Sequence, residues 1–484
     1  MLINTKRNPG VLLAVLLLSS LCLAGGAGAA TPLGANDDLA RESLAYSQAM
    51  QAFLYAYPLT IADRELRRRE KLKAPVRNAP MAPVNRLGHM SQIADADTDM
   101  PYSPNNDTVY TGVLLDLSLE PIILRMPEIK DRYAVIQIAN GYFENQPYEY
   151  SPRVNGGDAV DLAFVGPDWH GTLPKGVKKV AMDTVHAFLA IRIALDGAHE
   201  LDTVRAYQNQ MSLTALSDWD NGPTGKLPAQ PAPRKRPDYS GPFAFFEQAA
   251  DLMAINPPPP RHHAINASLW RVGLFPGQPF DPDVLDPATR RGVQRALADA
   301  PTVIDYLSRN RGKRFPNGWD VGRYADDIVF DYAVRAAMAL VGLMGNDPEE
   351  AIYLYTYYDA NGDLLDAGKR YRIHFEPGTV PSILEKGFWS LTMYDGKNYR
   401  YVHNPIDRYA VGSRTGLTYN EDGSLDLWIQ PTPPGEDKMT NWLPTSESAE
   451  GSFRVTLRIY GPDDRTVEEL YDIELAIPPL EPLD

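Results

Sequence analysis

The sequence has 484 residues, with 62 acidic against 47 basic side chains and a formal net charge of −15. Such an acidic chain repels nucleic acid and anionic lipid, so we predict no nucleic-acid partner. Its single cysteine, Cys22, lies in an N-terminal segment expected to be removed. This excludes disulfides, thiolate zinc sites and a cysteine nucleophile from the mature chain, and the length that remains is ample for two domains.

The first 30 residues have the three-part pattern of a secretory signal peptide. Lys6 and Arg7 precede an apolar run from Val11 to Leu23, and small residues follow as far as Ala30. The apolar run is shorter than the roughly 20 residues that a transmembrane helix needs. We therefore predict that residues 1–30 are a cleaved signal peptide, that the mature protein is periplasmic or secreted, and that it does not insert into the membrane after cleavage.

Residues 31–220 are predicted to form an N-terminal helix and a first β-rich domain. Apolar residues recur at helical spacing from Leu39 to about Lys71, and Pro58 should break this helix because proline has no backbone donor. Period-two patterns then predict five strands, at 109–117, 122–126, 133–138, 160–165 and 187–195. Another helical pattern covers 201–216.

Residues 221–260 are rich in proline, which predicts a stiff, exposed linker or a surface excursion. A helical insert is predicted at 261–350, with helices at 287–300, 302–310 and 324–344. Strand patterns return at 351–484, which we predict to be a second β-rich domain. The predicted fold class is α+β, with two antiparallel β-rich domains of sandwich or barrel type, an N-terminal helix and a central helical insert.

The chain resembles two bacterial domains that occur in tandem. It is similar to DUF1254 at Pro104 to Tyr110, Val165 to Trp169 and Leu173 to Val177. It is similar to the partner domain, DUF1214, at Asp359 to Gly362, Phe388 to Asp395, Asn404 to Tyr409, Tyr419 to Leu425 and Asn441 to Pro444. The resemblance implies a two-domain, β-rich protein that is often exported and can assemble as a homo-oligomer. It implies no activity, because these domains have no assigned function.

Amide, guanidinium and aromatic groups crowd the regions next to several predicted strands. The candidate ligand-binding residues are Asn105, Asn106, Asp107, Tyr110, Trp389, Tyr394, Asn404, Arg408, Asn441 and Trp442. Amides and guanidinium groups can orient hydroxyls or hold an anion, and aromatic rings can stack on sugars. Turn geometry, ion pairs and sheet packing account for the same residue types, so both interpretations stay open at this point.

The sequence offers no recognisable catalytic or metal-binding motif. It has no Gly-x-Ser-x-Gly elbow and no His-x-x-x-His pair, and we predict no cofactor and no metal. The alternative is calcium on Asp95, Asp97 and Asp99. Against it, Met100 stands where a calcium loop needs glycine and Asn106 where it needs a bidentate glutamate.

These observations predict an exported protein that binds or assembles rather than one with a defined reaction. The leading hypothesis is a binding or assembly protein that recognises an envelope glycan or another small polar ligand. A hydrolase or lyase acting on a glycan or ester is the first alternative, and would need carboxyl groups facing one cleft. An oligomeric scaffold is the second alternative.

Overall fold

The computed structural model describes residues 34–98, 103–310, 312–322, 329–446, 448, 450–472 and 474–483. The predicted signal peptide, residues 1–30, lies outside the described residues. The structure has both helices and sheets in the order that the sequence predicts, which confirms the α+β class and the N-terminal helix. None of the helices in the described part of the chain is long and apolar enough to cross a membrane.

The first helix, α1, runs without interruption from Ala35 to Glu70, although Pro58 lies inside it. The predicted break at this proline is therefore wrong. Proline in a helix interior costs roughly 3 kcal/mol, but Tyr55, Ala56 and Leu59 beside it are buried. Burying large apolar side chains contributes about 1.5–3 kcal/mol each, so tertiary packing outweighs the lost hydrogen bond and keeps the helix whole.

The first β-rich domain contains two four-stranded sheets. Its strands are β1 (Gly88–His89), β2 (Thr108–Asp116), β3 (Ile122–Met126), β4 (Ala134–Asn140), β5 (Val160–Val165), β6 (Lys178–Ala181), β7 (His186–Ala194) and β8 (Ser212–Ala215), and α2 (Leu201–Gln208) precedes β8. The sheet orders are β1-β2-β7-β4 and β6-β5-β3-β8. Apolar side chains of both sheets form one core, so the domain is a sandwich of open sheets and not a closed barrel.

Four helices pack near α1, the first from the proline-rich segment 221–260 and the other three from the helical insert. They are α3 (Ala244–Ile255), α4 (Asn266–Arg271), α5 (Pro287–Arg309) and α6 (Tyr332–Val341). The two helices predicted at 287–300 and 302–310 form the single helix α5, which continues through Pro301. A Cβ on Gly292 would lie 2.3 Å from the carbonyl oxygen of Glu42, so glycine allows α5 to approach α1 closely.

The second β-rich domain contains a six-stranded and a four-stranded sheet. Its elements are β9 (Lys313–Arg314), β10 (Asp320–Val321), β11 (Ala351–Thr356), β12 (Tyr371–Phe375), β13 (Ile383–Asp395), β14 (Ala410–Gly412), β15 (Leu425–Gln430), β16 (Trp442–Pro444), β17 (Phe453–Pro462), α7 (Asp464–Asp472) and β18 (Glu481–Pro482). The orders are β14-β13-β17-β11-β10-β9 and β16-β15-β12-β18, and one apolar core lies between the two sheets.

The proline-rich segment lies along α1 and is held there by ion pairs. Arg236 Nε is 2.8 Å from Asp63 Oδ1, and Arg236 Nη1 is 2.7 Å from Glu70 Oε2. Both carboxylates belong to α1 and are largely buried. The segment is therefore a surface excursion anchored on the N-terminal helix, which was one of the two interpretations of its composition.

The two β-rich domains meet through the outer face of the sheet β1-β2-β7-β4 and the outer face of the six-stranded sheet. Helices cover one part of the outer face of β1-β2-β7-β4, and the six-stranded sheet of the second domain covers another part. There the ring of Tyr133 lies 6.0 Å from that of Phe388 and 5.5 Å from that of Tyr460. This interdomain seam determines where side chains of the two domains can act together.

Candidate functional site between the two domains

Strand alternation places a polar layer at the interdomain seam. On β17, Val455, Leu457 and Ile459 enter the core of the second domain, so the side chains between them face the first domain. On β13, β2 and β7, side chains likewise alternate between the core of their own domain and the surface that faces the other domain. We call the resulting set the interdomain layer. Its members are Asn105, Asp107, Thr108, Tyr110, Arg192, Tyr353, Ser390, Thr392, Tyr394, Thr456, Arg458 and Tyr460.

Several direct hydrogen bonds connect the turn before β2 to the second domain. Asn105 Nδ2 donates to the hydroxyl of Tyr460 at 2.7 Å, and the Ser390 hydroxyl donates to Asp107 Oδ2 at 2.6 Å. The hydroxyl of Tyr394 donates to the carbonyl oxygen of Pro104 at 2.6 Å. Four residues predicted from the sequence, Asn105, Asp107, Tyr110 and Tyr394, thus belong to one layer.

Two arginines, one from each domain, are buried in this layer without a carboxylate partner. Arg192 is 5% exposed and Arg458 is 4% exposed. Arg458 donates to the hydroxyls of Thr392 and Tyr394, and Arg192 Nη1 donates to Asn346 Oδ1 at 3.3 Å. Within the described ranges, neither guanidinium forms an ion pair of 4.0 Å or less with Asp or Glu, and Asp107 acts on Arg458 only through its charge. Two positive charges therefore lie between the domains without an ion pair.

The electrostatics of the layer keep both arginines charged. Burial would lower the pKa of Arg192, but the phenol groups of Tyr110, Tyr353 and Tyr460 reverse this effect and raise it. Burial acts on Arg458 in the same way, and neighbouring tyrosines together with the charge of Asp107 raise its pKa. A buried charge without a direct ion pair costs several kcal/mol, so the layer favours a further anion beside these guanidinium groups.

Tyr110 is the titratable group most closely associated with these charges. It lies directly opposite Arg192 in the β2 and β7 ladder, and the guanidinium carbon of Arg192 is 5.1 Å from its ring centroid. Burial would raise the pKa of Tyr110, but the charge of Arg192, a hydrogen bond with it and the charge of Arg458 outweigh burial and lower the pKa below its ordinary value. The phenol is therefore easier to ionise than a free tyrosine.

Two tyrosines of the interdomain layer are partly exposed, and two of its polar atoms lack a hydrogen-bond partner among the described residues. Tyr110 and Tyr353 are only half-buried although they lie between the two domains, so part of each ring borders accessible space. Arg192 Nε and Thr456 Oγ1 are buried and have no hydrogen-bond partner in the part of the chain that the structure describes. Buried polar groups are normally paired, so these atoms can serve a ligand that enters the space.

The remaining predicted site residues lie outside the layer. Trp389 points to the opposite face of β13 and packs in the core of the second domain, with its ring 5.9 Å from that of Phe375. Asn106 follows Asn105 in the turn, is half-buried, and its Oδ1 has no hydrogen-bond partner among the described residues. Residues on alternate sides of a strand cannot share one surface, which excludes Trp389 from the interdomain layer.

Four predicted residues instead hold loops of the second domain together. Arg408 Nη1 donates to the carbonyl oxygens of Met439 and Trp442. Asn404 bonds to the backbone of its own turn, and the amide of Asn441 bonds to the backbone of Thr418 and Asp426. Trp442 is fully buried and its indole nitrogen donates to the carbonyl oxygen of Gln430. The structure shows these residues in structural contacts within their own domain, and their ligand contacts stay predictions.

Substituting Arg408 by alanine should therefore lower stability without changing ligand binding. Two carbonyl groups would lose their donor, and we expect a loss of about 1–3 kcal/mol in the free energy of unfolding. Urea denaturation measures the loss, and calorimetric titration compares ligand affinity with that of the wild type. A variant that folds as stably as the wild type but no longer binds ligand would contradict this assignment.

The calcium alternative finds no support in the described residues. Asp95 Oδ1 accepts hydrogen bonds from the Asp97 nitrogen and the Thr98 hydroxyl, so it closes a local turn. The Asp97 side chain is 86% exposed, and Asp99 lies outside the described residues. Across the described ranges no group of three or more Asp, Glu, His or Cys side chains has the arrangement of a metal site.

A second buried polar cluster, which we call the Glu144 cluster, lies where β4 meets the helices. Glu144 Oε1 accepts from Arg261 Nε at 2.7 Å, and Glu144 Oε2 lies 3.2 Å from His262 Nε2 and 4.0 Å from Arg335 Nη1. His262 Nδ1 is 3.1 Å from the Tyr55 hydroxyl. Because Glu144 already offers a carboxylate to Arg261 and lies near Arg335, the cluster has a counter-charge of its own, and we assign it a structural role.

One open cavity among the described residues has a different chemistry from the interdomain layer. It has a volume of about 440 Å³ and is lined by Lys73, Pro75, Arg86, Leu213 and Leu227, among others. Its walls carry no carboxylate, histidine or tyrosine. It therefore lacks the acid and base groups that the interdomain layer combines.

Sequence reasoning missed Arg192, Arg458, Tyr353 and Tyr460. A signal was present, because Arg192 interrupts the apolar strand β7 and Arg458 interrupts the apolar strand β17. A charged residue inside an otherwise apolar strand is rarely buried without a reason. The pattern could flag each arginine, but it could not show that the two face each other across domains.

Comparison with family models identifies both β-rich domains. Residues 84–215 match the model described as "Protein of unknown function (DUF1254)", and residues 350–464 match the one described as "Protein of unknown function (DUF1214)". The chain is a tandem DUF1254 and DUF1214 protein. This confirms the resemblance found in the sequence, and it shows that Arg192 belongs to the DUF1254 match and Arg458 to the DUF1214 match.

Solved structures extend the similarity to the fold. The VPA0106 protein from Vibrio parahaemolyticus is similar with a TM-score of 0.68 and 21% identity, over 91% of this DUF1254 and DUF1214 chain and 100% of that one. An uncharacterized protein from Burkholderia cenocepacia gives a TM-score of 0.39 and 13% identity, over 89% and 93% of the two chains. No curated protein matches the chain.

Proposed function

We propose that this chain is an exported binding protein that holds a small anionic ligand between its DUF1254 and DUF1214 domains. The signal-peptide pattern of residues 1–30 supports a periplasmic or secreted location. In that compartment, a uronate unit of an envelope glycan combines the hydroxyls and the negative charge that the interdomain layer would recognise. Free uronates are the simplest members of this ligand class.

The observation that carries this proposal is the pair of buried arginines. Arg192 and Arg458 come from different domains and have no carboxylate partner in the described chain. A guanidinium group is the side chain best matched to a carboxylate, because it can donate two parallel hydrogen bonds. A ligand carboxylate between the domains would supply the missing negative charge and would also accept a hydrogen bond from Arg192 Nε.

The other members of the layer suit a hydroxylated ligand. Thr456 Oγ1 has no partner among the described residues and can donate or accept a hydrogen bond. The rings of Tyr110 and Tyr353 border accessible space and offer flat faces for the apolar side of a sugar ring. Ligand sites commonly lie at domain interfaces and combine apolar walls with a few polar groups.

Calorimetric titration with glucuronate, galacturonate and glucose tests the proposal. We expect both uronates to bind and glucose, which lacks the carboxylate, to give no heat. Arg458→Met should abolish uronate binding, whereas Arg408→Ala, which removes an arginine outside the layer, should leave it unchanged. Binding of glucose as tight as that of the uronates, or no heat with either uronate, would refute the proposed anionic ligand class.

Arg192→Met gives the proposal a second, independent test. Replacing a buried, uncompensated charge by an apolar side chain of similar length is often neutral or stabilising by about 1–4 kcal/mol. We therefore expect the ligand-free variant to unfold at the same or a higher urea concentration than the wild type, and to bind no uronate. A strong loss of stability in the ligand-free variant would show that Arg192 serves the fold instead.

A further inference from the structure

We propose that Tyr110 accepts a proton from the carbon next to the ligand's carboxylate, so that the chain acts as a lyase on uronate-containing oligosaccharides. This inference rests on the proposed function, because the same two arginines must hold the carboxylate. The inference assigns a catalytic reaction to the site that was proposed above only to bind a ligand.

Tyr110 lies beside Arg192, one of the two arginines proposed to bind the ligand's carboxylate. Its ring is stacked with the guanidinium of Arg192 on the neighbouring strand and borders the accessible space between the domains. Among the described residues of the layer, its phenol combines this exposure with a pair of cations that lower its pKa. Asp107, the carboxylate of the layer, is instead engaged by the Ser390 hydroxyl.

The arginine pair would lower the energy barrier for removing this proton. A carbon next to a carboxylate is a weak acid, because removing its proton adds negative charge to a group that is already anionic. Positively charged donors fixed at the carboxylate stabilise that charge as it develops. Arg192 and Arg458 provide two such donors in a site largely shielded from water, where their effect is stronger than in solution.

The ionisation of Tyr110 agrees with this role. The charges of Arg192 and Arg458 outweigh burial and lower the pKa of the phenol. A base works best when its pKa lies near the working pH, and a lowered value moves tyrosine in that direction. The same arginines would thus prepare the base and bind the substrate.

The reaction is a β-elimination that needs no oxidant, reductant or cofactor. The Tyr110 phenolate oxygen forms a bond to the proton at C5 of the uronate, and the C5 to H electron pair forms the double bond between C4 and C5. The bond from C4 to the glycosidic oxygen breaks, and that oxygen takes a proton from the Tyr110 hydroxyl, which returns to phenolate. The products are a 4,5-unsaturated uronate and a free hydroxyl on the leaving sugar.

The first experiment needs no substrate. Ultraviolet difference titration of the folded protein counts tyrosines as they ionise, and we expect one to ionise at a lower pH than the others. Tyr110→Phe should remove this early step and Arg192→Met should shift it to higher pH. Tyr306→Phe, which changes an exposed tyrosine, should leave it in place. An early step that survives in Tyr110→Phe, or no early step at all, would overturn the proposal.

The second experiment uses digalacturonate in deuterium oxide. Proton NMR follows loss of the C5 proton signal, and ultraviolet absorbance follows the conjugated double bond. We expect both with the wild-type chain, and a loss of about 100-fold or more in rate with Tyr110→Phe, while calorimetry shows that this variant still binds the probe. Absence of both signals with wild-type protein that binds digalacturonate would refute the lyase reaction alone. Absence of binding would refute the proposed function as well.

Discussion

Replacing Glu144 by glutamine is expected to lower the free energy of unfolding by about 3–5 kcal/mol. Glu144 is 2% exposed and is the carboxylate that Arg261, His262 and Arg335 share. Glutamine keeps the shape of the side chain but removes its charge, so Arg335, which is fully buried, would lose the only carboxylate near it in the described chain. Urea denaturation at neutral pH measures the loss.

The same residue makes the fold sensitive to acid. Burial would raise the pKa of Glu144, but hydrogen bonds and charge from His262 and Arg261 outweigh it and lower the pKa to about 2. Because the folded-state pKa lies below the ordinary value, the stabilisation is present above pH 4.5 and is lost as the pH falls through 2. A shift of this size corresponds to about 3 kcal/mol.

The exposed residue Glu421 supplies the matched control for this prediction. Glu421→Gln removes the same charge from a surface turn and should change stability by no more than about 0.5 kcal/mol. Denaturation curves between about pH 2 and pH 5 should be steeper in their pH dependence for wild type than for Glu144→Gln. Parallel curves for the two proteins would show that Glu144 is not the acid-sensitive group.

Glu350→Gln should have the opposite effect and stabilise the protein above neutral pH. Glu350 is 2% exposed at the interdomain seam, where Ser151 donates to its Oε1 at 2.6 Å and the Tyr133 hydroxyl donates to its Oε2 at 3.1 Å. Burial raises the pKa of Glu350 to about 7, although Ser151, Tyr133 and the charge of Arg153 lower it in part. Glutamine has no proton to lose at this position.

The direction of this change in stability follows from the proton that Glu350 holds in the folded state. A carboxyl with a raised folded-state pKa stabilises the fold fully below pH 4.5, and this contribution is lost as the pH rises through 7. At about pH 8 we expect Glu350→Gln to exceed wild type by about 3 kcal/mol in the free energy of unfolding. At about pH 4 the two proteins should be equally stable.

Urea denaturation at these two pH values tests the predicted effect of Glu350→Gln. Glu376→Gln is the control, because Glu376 is exposed. An equal difference between wild type and Glu350→Gln at both pH values would mean that the carboxyl of Glu350 does not titrate between them. Since Glu350 joins the two domains, the alkaline loss in the wild type should be accompanied by increased proteolysis at the seam.

Local patterns were sufficient for most of the secondary structure. The strands predicted at 122–126 and 160–165 have the bounds found in the structure, because period-two patterns ended at clear turn residues. Two of the helix predictions that failed concerned proline, at Pro58 and Pro301. The helix predicted at 201–216 also failed in part, because it ends at Gln208 and the strand β8 follows. Proline weakens a helix by a known local amount, but the packing that offsets it comes from distant parts of the chain and leaves no local signal.

The site was only partly predictable for a related reason. Asn105, Asp107, Tyr110 and Tyr394 were found from residue type, and the structure brings them into one layer. Arg408 was singled out with the same reasoning, yet its guanidinium holds backbone carbonyls of its own domain. Residue type shows which chemistry a side chain can perform, and only the folded chain shows which partner it meets.

The contact between the two sheets affects experiments in which one domain is produced without the other. Val135 and Tyr133 of the first domain and Phe388 and Tyr460 of the second are buried together where the two domains meet. A truncated chain carrying one module would present these side chains to water and would tend to aggregate. Expression of both modules as a single polypeptide keeps the complementary surface at high effective concentration, so full-length material is the sound starting point for crystallisation and screening.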